Sequence, residues 1–362
     1  MLSLNILKSQ GAWLLLGSLM LGTPGLAFAD APVGVRPCCA FGKDLKAQLG
    51  GVPVPFFSVG NVLDVESLGN HIYNDGSQGV SSSLLGLGEE HNGLIYTEKG
   101  GFIDTAHVRD TADFTYFLFN EMRHRLGTSY TIKLPAELRN RLVVLKARTT
   151  QLTDAEKENM AIHAAGLTAF RLAQWHEIAQ WFGMESVGGF KELASAFSPE
   201  DLYSNMLGAK LAMAILAENP DASVEAFGKS MDASLKATLE KLHAVSADET
   251  SQKIASLDGK WWDSSKRLPD KWVLLHRDYH LALDIYPNGT ENGMRLSLPD
   301  KLENGEPVSS WVQLELRKGD RESAFILAPS RLKHQDVWTP EDFMKLAGFA
   351  KVQDELEKSH LK

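Results

Sequence analysis

Residues 172–183 read LAQWHEIAQWFG and close the longest helical pattern in the chain. They place an adjacent histidine and glutamate, His176 and Glu177, among apolar and aromatic residues. In the HExxH arrangement of zinc hydrolases, two histidines four residues apart share one helix face and hold the metal, while the glutamate activates water. Here the fourth residue after His176 is Gln180. A metal site at this helix therefore needs a second ligand from elsewhere in the chain.

The helix that carries this pair has clear signals at both ends. Residues 153–156, TDAE, form a capping box, and Gly183 is a typical C-terminal glycine. Apolar residues cover much of the circumference between them, which predicts a central, buried helix. An ionised carboxylate in such a helix needs a partner, because its burial is otherwise costly.

Upstream, a hairpin is predicted from residues 94–97 (LIYT) and 102–104 (FID), separated by a glycine-rich turn. A helix is predicted from about residue 111 to 126, with Asp110 as its N-cap. Asp104 and His107 then lie in the short connection between strand and helix. Side chains at such a connection commonly point into a cleft.

Downstream, residues 198–201 (SPED) predict another helix start, with Ser198 as N-cap and two acids at the positive end. Further helices follow with short joints, which favours antiparallel packing as a bundle. After Gly259 the composition changes to short β-type segments separated by turn residues, and strands are predicted at residues 272–275 and 323–328.

These patterns predict an α+β fold: a helical body with an irregular glycine- and proline-rich N-terminal wrap and a smaller C-terminal antiparallel β region. The predicted divisions follow the changes in composition. They are residues 1–29, 30–258, 259–338 and 339–362, the last forming a C-terminal helix.

The first 29 residues have the character of a signal peptide: Lys8, a short apolar core and a small-x-small site at residues 27–29. No later stretch reaches the roughly 20 apolar residues of a membrane span, so a periplasmic or secreted protein without a transmembrane segment is expected. The net charge of −9 argues against nucleic acid as a partner. Cys38 and Cys39 are adjacent, so either a pair of buried thiols or a strained vicinal disulfide is expected, with a redox or nucleophilic thiol as the functional alternative, and their redox state stays open.

Four stretches together resemble a known bacterial family, the domain of unknown function 4056. They are RPCCAFG at 36–42, GFIDTAHVRD at 101–110, WHEI at 175–178 and FSPEDLYSN at 197–205. The resemblance implies an exported bacterial protein. It brings no established activity, fold or cofactor, so the chemistry has to be argued from the residues.

One hypothesis joins three of these stretches into a site for zinc or another divalent ion. His107 and His176 are the expected ligands, one acid among Asp104, Glu200 and Asp201 completes the set, and Glu177 activates water. Imidazole and carboxylate groups are the ligands that such ions take in hydrolases.

Two other interpretations explain the same residues without a metal. In the first, His176 and Glu177 are a buried structural pair whose polar groups are satisfied. The other acids are ordinary residues of helix N-termini, and Asp104 bonds to Arg109. In the second, His107 or His176 works with a carboxylate as a general acid and base.

Two classes of function follow from these interpretations. One is an exported metal-dependent hydrolase that acts on a peptide, cell-wall or lipid-derived substrate of the envelope, and the other is a non-catalytic periplasmic ligand- or partner-binding protein. The hydrolase requires His107, His176 and an acid within about 4 Å of a common centre. The binding protein has no such requirement.

Overall fold

The structure is a computed structural model of the 362-residue chain. It describes residues 29–34, 36, 40–49, 52–76, 89–150, 152–185, 191–302, 304–325 and 328–360. Most of the predicted signal peptide and the Cys38–Cys39 pair lie outside these residues.

The described residues form seven α-helices and ten β-strands. The helices are α1 (Thr105–Met122), α2 (Asp154–Trp181), α3 (Asp201–Glu218), α4 (Val224–Lys241), α5 (Ala247–Ser256), α6 (Ser330–Lys333) and α7 (Pro340–His360). The strands are β1 (Leu45–Leu49), β2 (Val52–Val59), β3 (Leu94–Thr97), β4 (Gly101–Asp104), β5 (Tyr130–Glu137), β6 (Arg139–Leu145), β7 (Asp284–Ile285), β8 (Leu296–Ser297), β9 (Val312–Arg317) and β10 (Val337–Trp338). This composition confirms the predicted α+β class.

The largest sheet has four antiparallel strands in the order β10-β9-β6-β5. β6 lies in the predicted helical body and β9 in the predicted β-rich region, and the two pair from Asn140 opposite Arg317 to Leu145 opposite Val312. The sheet therefore joins chain segments from both sides of the predicted division at residue 258. The remaining strands form three two-stranded pairs, β1-β2, β3-β4 and β7-β8.

The core is formed by α1, α2 and α3, which pack against one another. Phe119 of α1, Phe170 and Trp175 of α2, and Met206 of α3 are completely buried. Gly208 brings α3 unusually close to α1, since a Cβ at this position would lie 2.0 Å from the carbonyl oxygen of Val108. The two helices can approach so closely only because residue 208 has no side chain.

Helix α2 has the ends that its sequence predicts. Both bonds of the capping box between Thr153 and Glu156 are present. Gly183 has φ +89° immediately after the helix, in the region that glycine adopts most easily. The predicted β3-β4 hairpin is also confirmed, with Leu94 opposite Asp104 and Thr97 opposite Gly101.

The start of α1 was predicted incorrectly. The helix begins at Thr105, six residues before the predicted start, because Asp104 is the N-cap and its side chain accepts from the backbone N–H groups of Ala106 and His107. Asp110 lies inside the helix, where it binds the side chain of Arg36 at 2.7 Å. His107 consequently lies in the first turn of α1 and not in the preceding loop.

The region after Gly259 has fewer strands than predicted. Residues Lys271–Val273 form a 3-10 turn, because the carboxylate of Asp270 accepts from the N–H of Trp272 at 2.8 Å. Residues Glu322–Phe325 form another such turn in place of the predicted strand start. Among the residues that the structure describes, no helix combines the length and apolarity of a membrane span.

Candidate metal centre

Asp104 is positioned by the point where β4 passes directly into α1. Its carboxylate oxygen Oδ1 accepts from the N–H of Ala106 at 2.8 Å and from that of His107 at 3.4 Å. Its backbone N–H donates to the hydroxyl of Ser204 at 2.9 Å. The carboxylate is therefore fixed at the positive end of α1, where a negative charge is favoured.

His107 projects from the same helix end towards the start of α3. Its Nε2 lies 3.4 Å from Oδ1 of Asp201, the first residue of α3. Its Nδ1 lies 3.2 Å from the amide nitrogen of Asn205, whose oxygen accepts from the hydroxyl of Thr111 at 2.6 Å. In this second contact the amide N–H of Asn205 donates to Nδ1, which orients the imidazole ring.

Asp104, His107 and Asp201 form a compact group in which one ligand atom from each residue lies within 4.8 Å of the others. The two aspartates are buried, and the His107 side chain is 18% exposed. Two carboxylates and one imidazole around a common point suit zinc, manganese or iron. The structure thus brings together three of the five residues that the sequence predicted as metal ligands.

Glu200 directly precedes this group in the chain. Its Oε2 accepts from the hydroxyl of Ser198 at 2.7 Å, whereas its Oε1 has no hydrogen-bond partner among the described residues. Ser198 was predicted as the N-cap, but α3 begins only at Asp201, so the hydroxyl of Ser198 binds the Glu200 carboxylate. Burial, with a smaller contribution from the nearby charges of Asp104 and Glu177, raises the pKa of Glu200 to about 8, although the hydrogen bond from Ser198 acts in the opposite direction.

Glu177 comes from α2, and the charge of His107 acts on its carboxylate. Its Oε2 accepts from the N–H of Phe197 at 2.6 Å, and its Oε1 has no hydrogen-bond partner among the described residues. Burial raises the pKa of Glu177, against the opposing charge of His107. The carboxylate is therefore held by one oxygen, and the other is free to accept a proton or a cation.

His176, the neighbour of Glu177, is not a member of the three-residue group. Its Nδ1 lies 3.3 Å from Oε1 of Glu137, which also binds Arg141 at 2.7 Å. Burial alone would lower the pKa of His176, but the Glu137 carboxylate outweighs burial and raises it to about 9. A metal-ligand role for His176 stays a prediction, and its observed partner is a carboxylate.

Sequence reasoning missed Phe197, Gly208 and Arg277, which hold the site together. Phe197 has φ +58°, an uncommon conformation for a bulky residue, and this aims its N–H at Glu177. The guanidinium of Arg277 donates to the carbonyl oxygens of Ala196 and Leu193, immediately before that turn. Only the glycine could have been noticed in the sequence, as a small residue inside an apolar helix.

The fold and the site define a class: an α+β protein in which the N-termini of two packed helices meet at a buried cluster of carboxylates and one histidine. Residues 26–291 match the model of the family described as "Protein of unknown function (DUF4056)". The match spans most of the chain, and the protein belongs to this family. No curated protein and no solved structure matches the chain.

Proposed function

We propose that this protein is an exported metal-dependent hydrolase whose metal is held by Asp104, His107 and Asp201. The observation that carries the proposal is the meeting of these three side chains within 4.8 Å. The two aspartates are buried, while His107 is partly accessible. Three protein ligands leave the fourth position of a tetrahedral zinc ion for water, as in catalytic zinc sites.

Glu177 is the general base in this proposal. Asp104, His107 and Asp201 would hold the ion, and a bound zinc ion would supply a water whose pKa is about 7. The Oε1 atom of Glu177 would accept a proton from the attacking water as the water oxygen bonds to the electrophilic carbon of an amide or ester. The carbon–nitrogen or carbon–oxygen bond would then break, and Glu177 would pass the proton to the leaving group.

The test separates metal binding from catalysis. The purified protein, loaded with zinc or manganese, is assayed on p-nitrophenyl esters and fluorogenic peptides, beside the variants Glu177→Gln and Glu218→Gln. Glu177→Gln is expected to keep its metal and to lose about 10²–10⁴-fold in turnover, the usual range for removal of a general base. Glu218, at the exposed C-terminal end of α3, is the matched control and keeps full turnover.

Two outcomes contradict the proposal. Full turnover in Glu177→Gln would show that Glu177 is not the general base. Wild-type protein that takes up no metal would show that Asp104, His107 and Asp201 do not form a metal site. Metal uptake without turnover on any substrate favours the second class, a non-catalytic periplasmic binding protein. Export is tested separately, by locating the protein in the periplasmic or culture fraction of expressing cells.

A further inference from the structure

We infer that Asn205 is a positioning residue for the metal centre. Its side-chain amide decides which ring nitrogen of His107 carries the proton, and the amide has to turn over before the other nitrogen can hold zinc. This inference rests on the proposed function, because it concerns how the same site is made ready for its ion. Three observations support it: two facing pairs of side chains, the direction of their hydrogen bonds, and their burial.

The two pairs meet where α1 and α3 pack against each other. His107 and Thr111 are four residues apart on α1 and lie on one face of that helix. Asp201 and Asn205 have the same spacing on α3. His107 contacts both residues of the opposite pair, through Nε2 at 3.4 Å from Asp201 and through Nδ1 at 3.2 Å from Asn205. Both nitrogens of the ring are therefore directed at α3.

The hydrogen bonds of this group run in one direction. The hydroxyl of Thr111 donates to Oδ1 of Asn205 at 2.6 Å, so the amide nitrogen is the end that faces His107. An amide nitrogen can only donate, so Nδ1 of the ring accepts with its lone pair. In a neutral imidazole the proton then lies on Nε2, the nitrogen beside Asp201.

That tautomer does not suit a metal ion on Nε2. Zinc binds imidazole through a lone pair, and the other ring nitrogen of a metal-binding histidine almost always donates its N–H to an acceptor. Oδ1 of Asn205 is the acceptor at hand, but it faces Nδ1 only after the amide has made half a turn. The ring stays neutral in this change, because Nε2 loses its proton to solvent and Nδ1 takes one up.

Thr111 allows both orientations of the amide. A hydroxyl can donate or accept, so it can receive the amide N–H after the turn. Asn205 and Thr111 are each only 2% exposed, and leaving a buried polar group without a partner is costly. The amide therefore has two defined orientations, each of which goes with one tautomer of His107.

The residue at position 205 should consequently set the zinc affinity of the site. Part of the binding free energy of zinc is spent on turning the amide. A side chain that only accepts, such as an ionised aspartate, holds the proton on Nδ1 from the start. A leucine, of similar size, holds neither tautomer.

The first test is the zinc affinity of matched variants of the full-length protein, measured by calorimetry. Asn205→Leu is expected to bind zinc about 10–100-fold more weakly than wild type, the usual loss for an outer partner of a metal-binding histidine. Asn205→Asp is expected to bind at least as tightly as wild type. Asn120→Leu is the control: it makes the same change on α1, where the amide donates to the carbonyl oxygen of Tyr116, and it should keep wild-type affinity.

The second test is ¹⁵N NMR of labelled histidines, which shows directly which ring nitrogen is protonated. The signals of His107 are those that His107→Gln lacks. Metal-free wild type is expected to have the proton on Nε2 and none on Nδ1. Zinc-loaded wild type and metal-free Asn205→Asp are expected to have a proton on Nδ1. If Asn205 only supports the packing, the tautomer is the same in all three samples.

Several outcomes overturn the inference and leave the proposed function standing. They are a proton on Nδ1 in metal-free wild type, a proton on Nε2 in the zinc-loaded protein, and full zinc affinity in Asn205→Leu. An equal loss of affinity in Asn120→Leu also overturns it, because the effect is then not specific to Asn205. Wild-type protein that binds no zinc contradicts both proposals. Melting curves check that Asn205→Leu is folded, and the spectra of wild type require no variant.

Discussion

Two clusters of buried acids lie along helix α1, and the pKa values of their glutamates are shifted in opposite directions. At its N-terminus lies the metal-centre cluster: Asp104, His107, Glu177, Glu200 and Asp201. One turn further along lies the arginine cluster: Arg36, Arg109, Glu90, Asp110 and Asp113. Both are buried and rich in carboxylates, and they differ in the basic residues beside them: arginines bind the acids of the arginine cluster, whereas a histidine, His107, lies beside Asp201 in the metal-centre cluster.

In the arginine cluster one guanidinium binds three acids. Arg36 lies 2.6 Å from Glu90, 2.7 Å from Asp110 and 2.9 Å from Asp113. Arg109 adds a second positive charge 3.9 Å from Glu90. This arrangement fastens the N-terminal wrap to α1, which makes the cluster structural.

The pKa of a buried glutamate is shifted in opposite directions in the two clusters. Burial alone would raise the pKa of Glu90, but Arg36 and Arg109 lower it to about 2. At Glu200 burial is the largest cause of a pKa that is raised to about 8. The comparison teaches that burial of an acid is no sign of function by itself. An acid that the protein leaves without its own cation is the better indication of a binding site.

The largest effect is expected from removing the shared guanidinium. Arg36→Met leaves three acids of the arginine cluster without their main cation and should lower the free energy of unfolding by about 3–5 kcal/mol. Urea unfolding measures the change. Arg36→Lys is the control that keeps the charge and loses the fork of donors, and it should cost less. A loss below about 1 kcal/mol in Arg36→Met would show that the cluster does not fasten the fold.

Acid is expected to weaken the same cluster through Glu90. The pKa of Glu90 is about 2 in the folded protein and 4.5 when unperturbed. Its contribution to stability is therefore complete above pH 4.5 and is lost as the pH falls towards 2. Glu90→Gln should cost about 3 kcal/mol at pH 7 and reduce the dependence of stability on pH between 5 and 3. If the stability of wild type and that of Glu90→Gln change with pH to the same extent, Glu90 is not the group whose protonation weakens the cluster.

Moving the two ligand-bearing helices apart should damage the metal centre more than the arginine cluster. Gly208→Ala places a Cβ 2.0 Å from the carbonyl oxygen of Val108, so the backbones of α1 and α3 must separate. The expected cost is about 2 kcal/mol in unfolding free energy, with weaker zinc binding by calorimetry. Ala209→Gly, at the next buried position of α3, also changes helix propensity but adds no bulk, and it should bind zinc normally. Unchanged zinc affinity in Gly208→Ala would show that zinc binding does not depend on the spacing of α1 and α3.

The smallest effect is expected at His176. His176→Gln removes the contact with Glu137 and should cost about 1–2 kcal/mol without changing the metal content. The pKa of this histidine is about 9 folded and 6.5 unperturbed, so its stabilisation is complete below pH 6.5 and is lost as the pH rises through 9. His176→Gln should not show this loss of stability as the pH rises. A fall in metal content would instead restore His176 as a ligand.

Local signals in the sequence predicted much of this site. Asp104, His107 and Asp201 were expected near helix starts, and the structure brings these three together. Capping boxes and terminal glycines act within one helical turn, so they can be recognised without knowledge of the tertiary structure. The ends of α2 were predicted correctly for that reason.

Long-range partners could not be predicted in this way. Arg36 and Asp110 are 74 residues apart, so no local pattern shows that Asp110 lies inside α1 and binds Arg36 instead of capping the helix. The same holds for Glu137, which binds His176 from 39 residues away. Helix packing decides that His107 lies with Asp104 and Asp201, and that His176 lies beside Glu137. No short sequence pattern predicts this packing.

The central claim is that Asp104, His107 and Asp201 hold a divalent ion. The most direct test is elemental mass spectrometry of wild-type protein and His107→Ala, purified without chelator or a nickel column and then offered zinc or manganese. At least one tightly held ion per chain in wild type, lost in a folded His107→Ala, is the result we predict. Wild-type protein that is metal-free and takes up neither ion would contradict the claim, and the acids would then have to be explained as a protonated core.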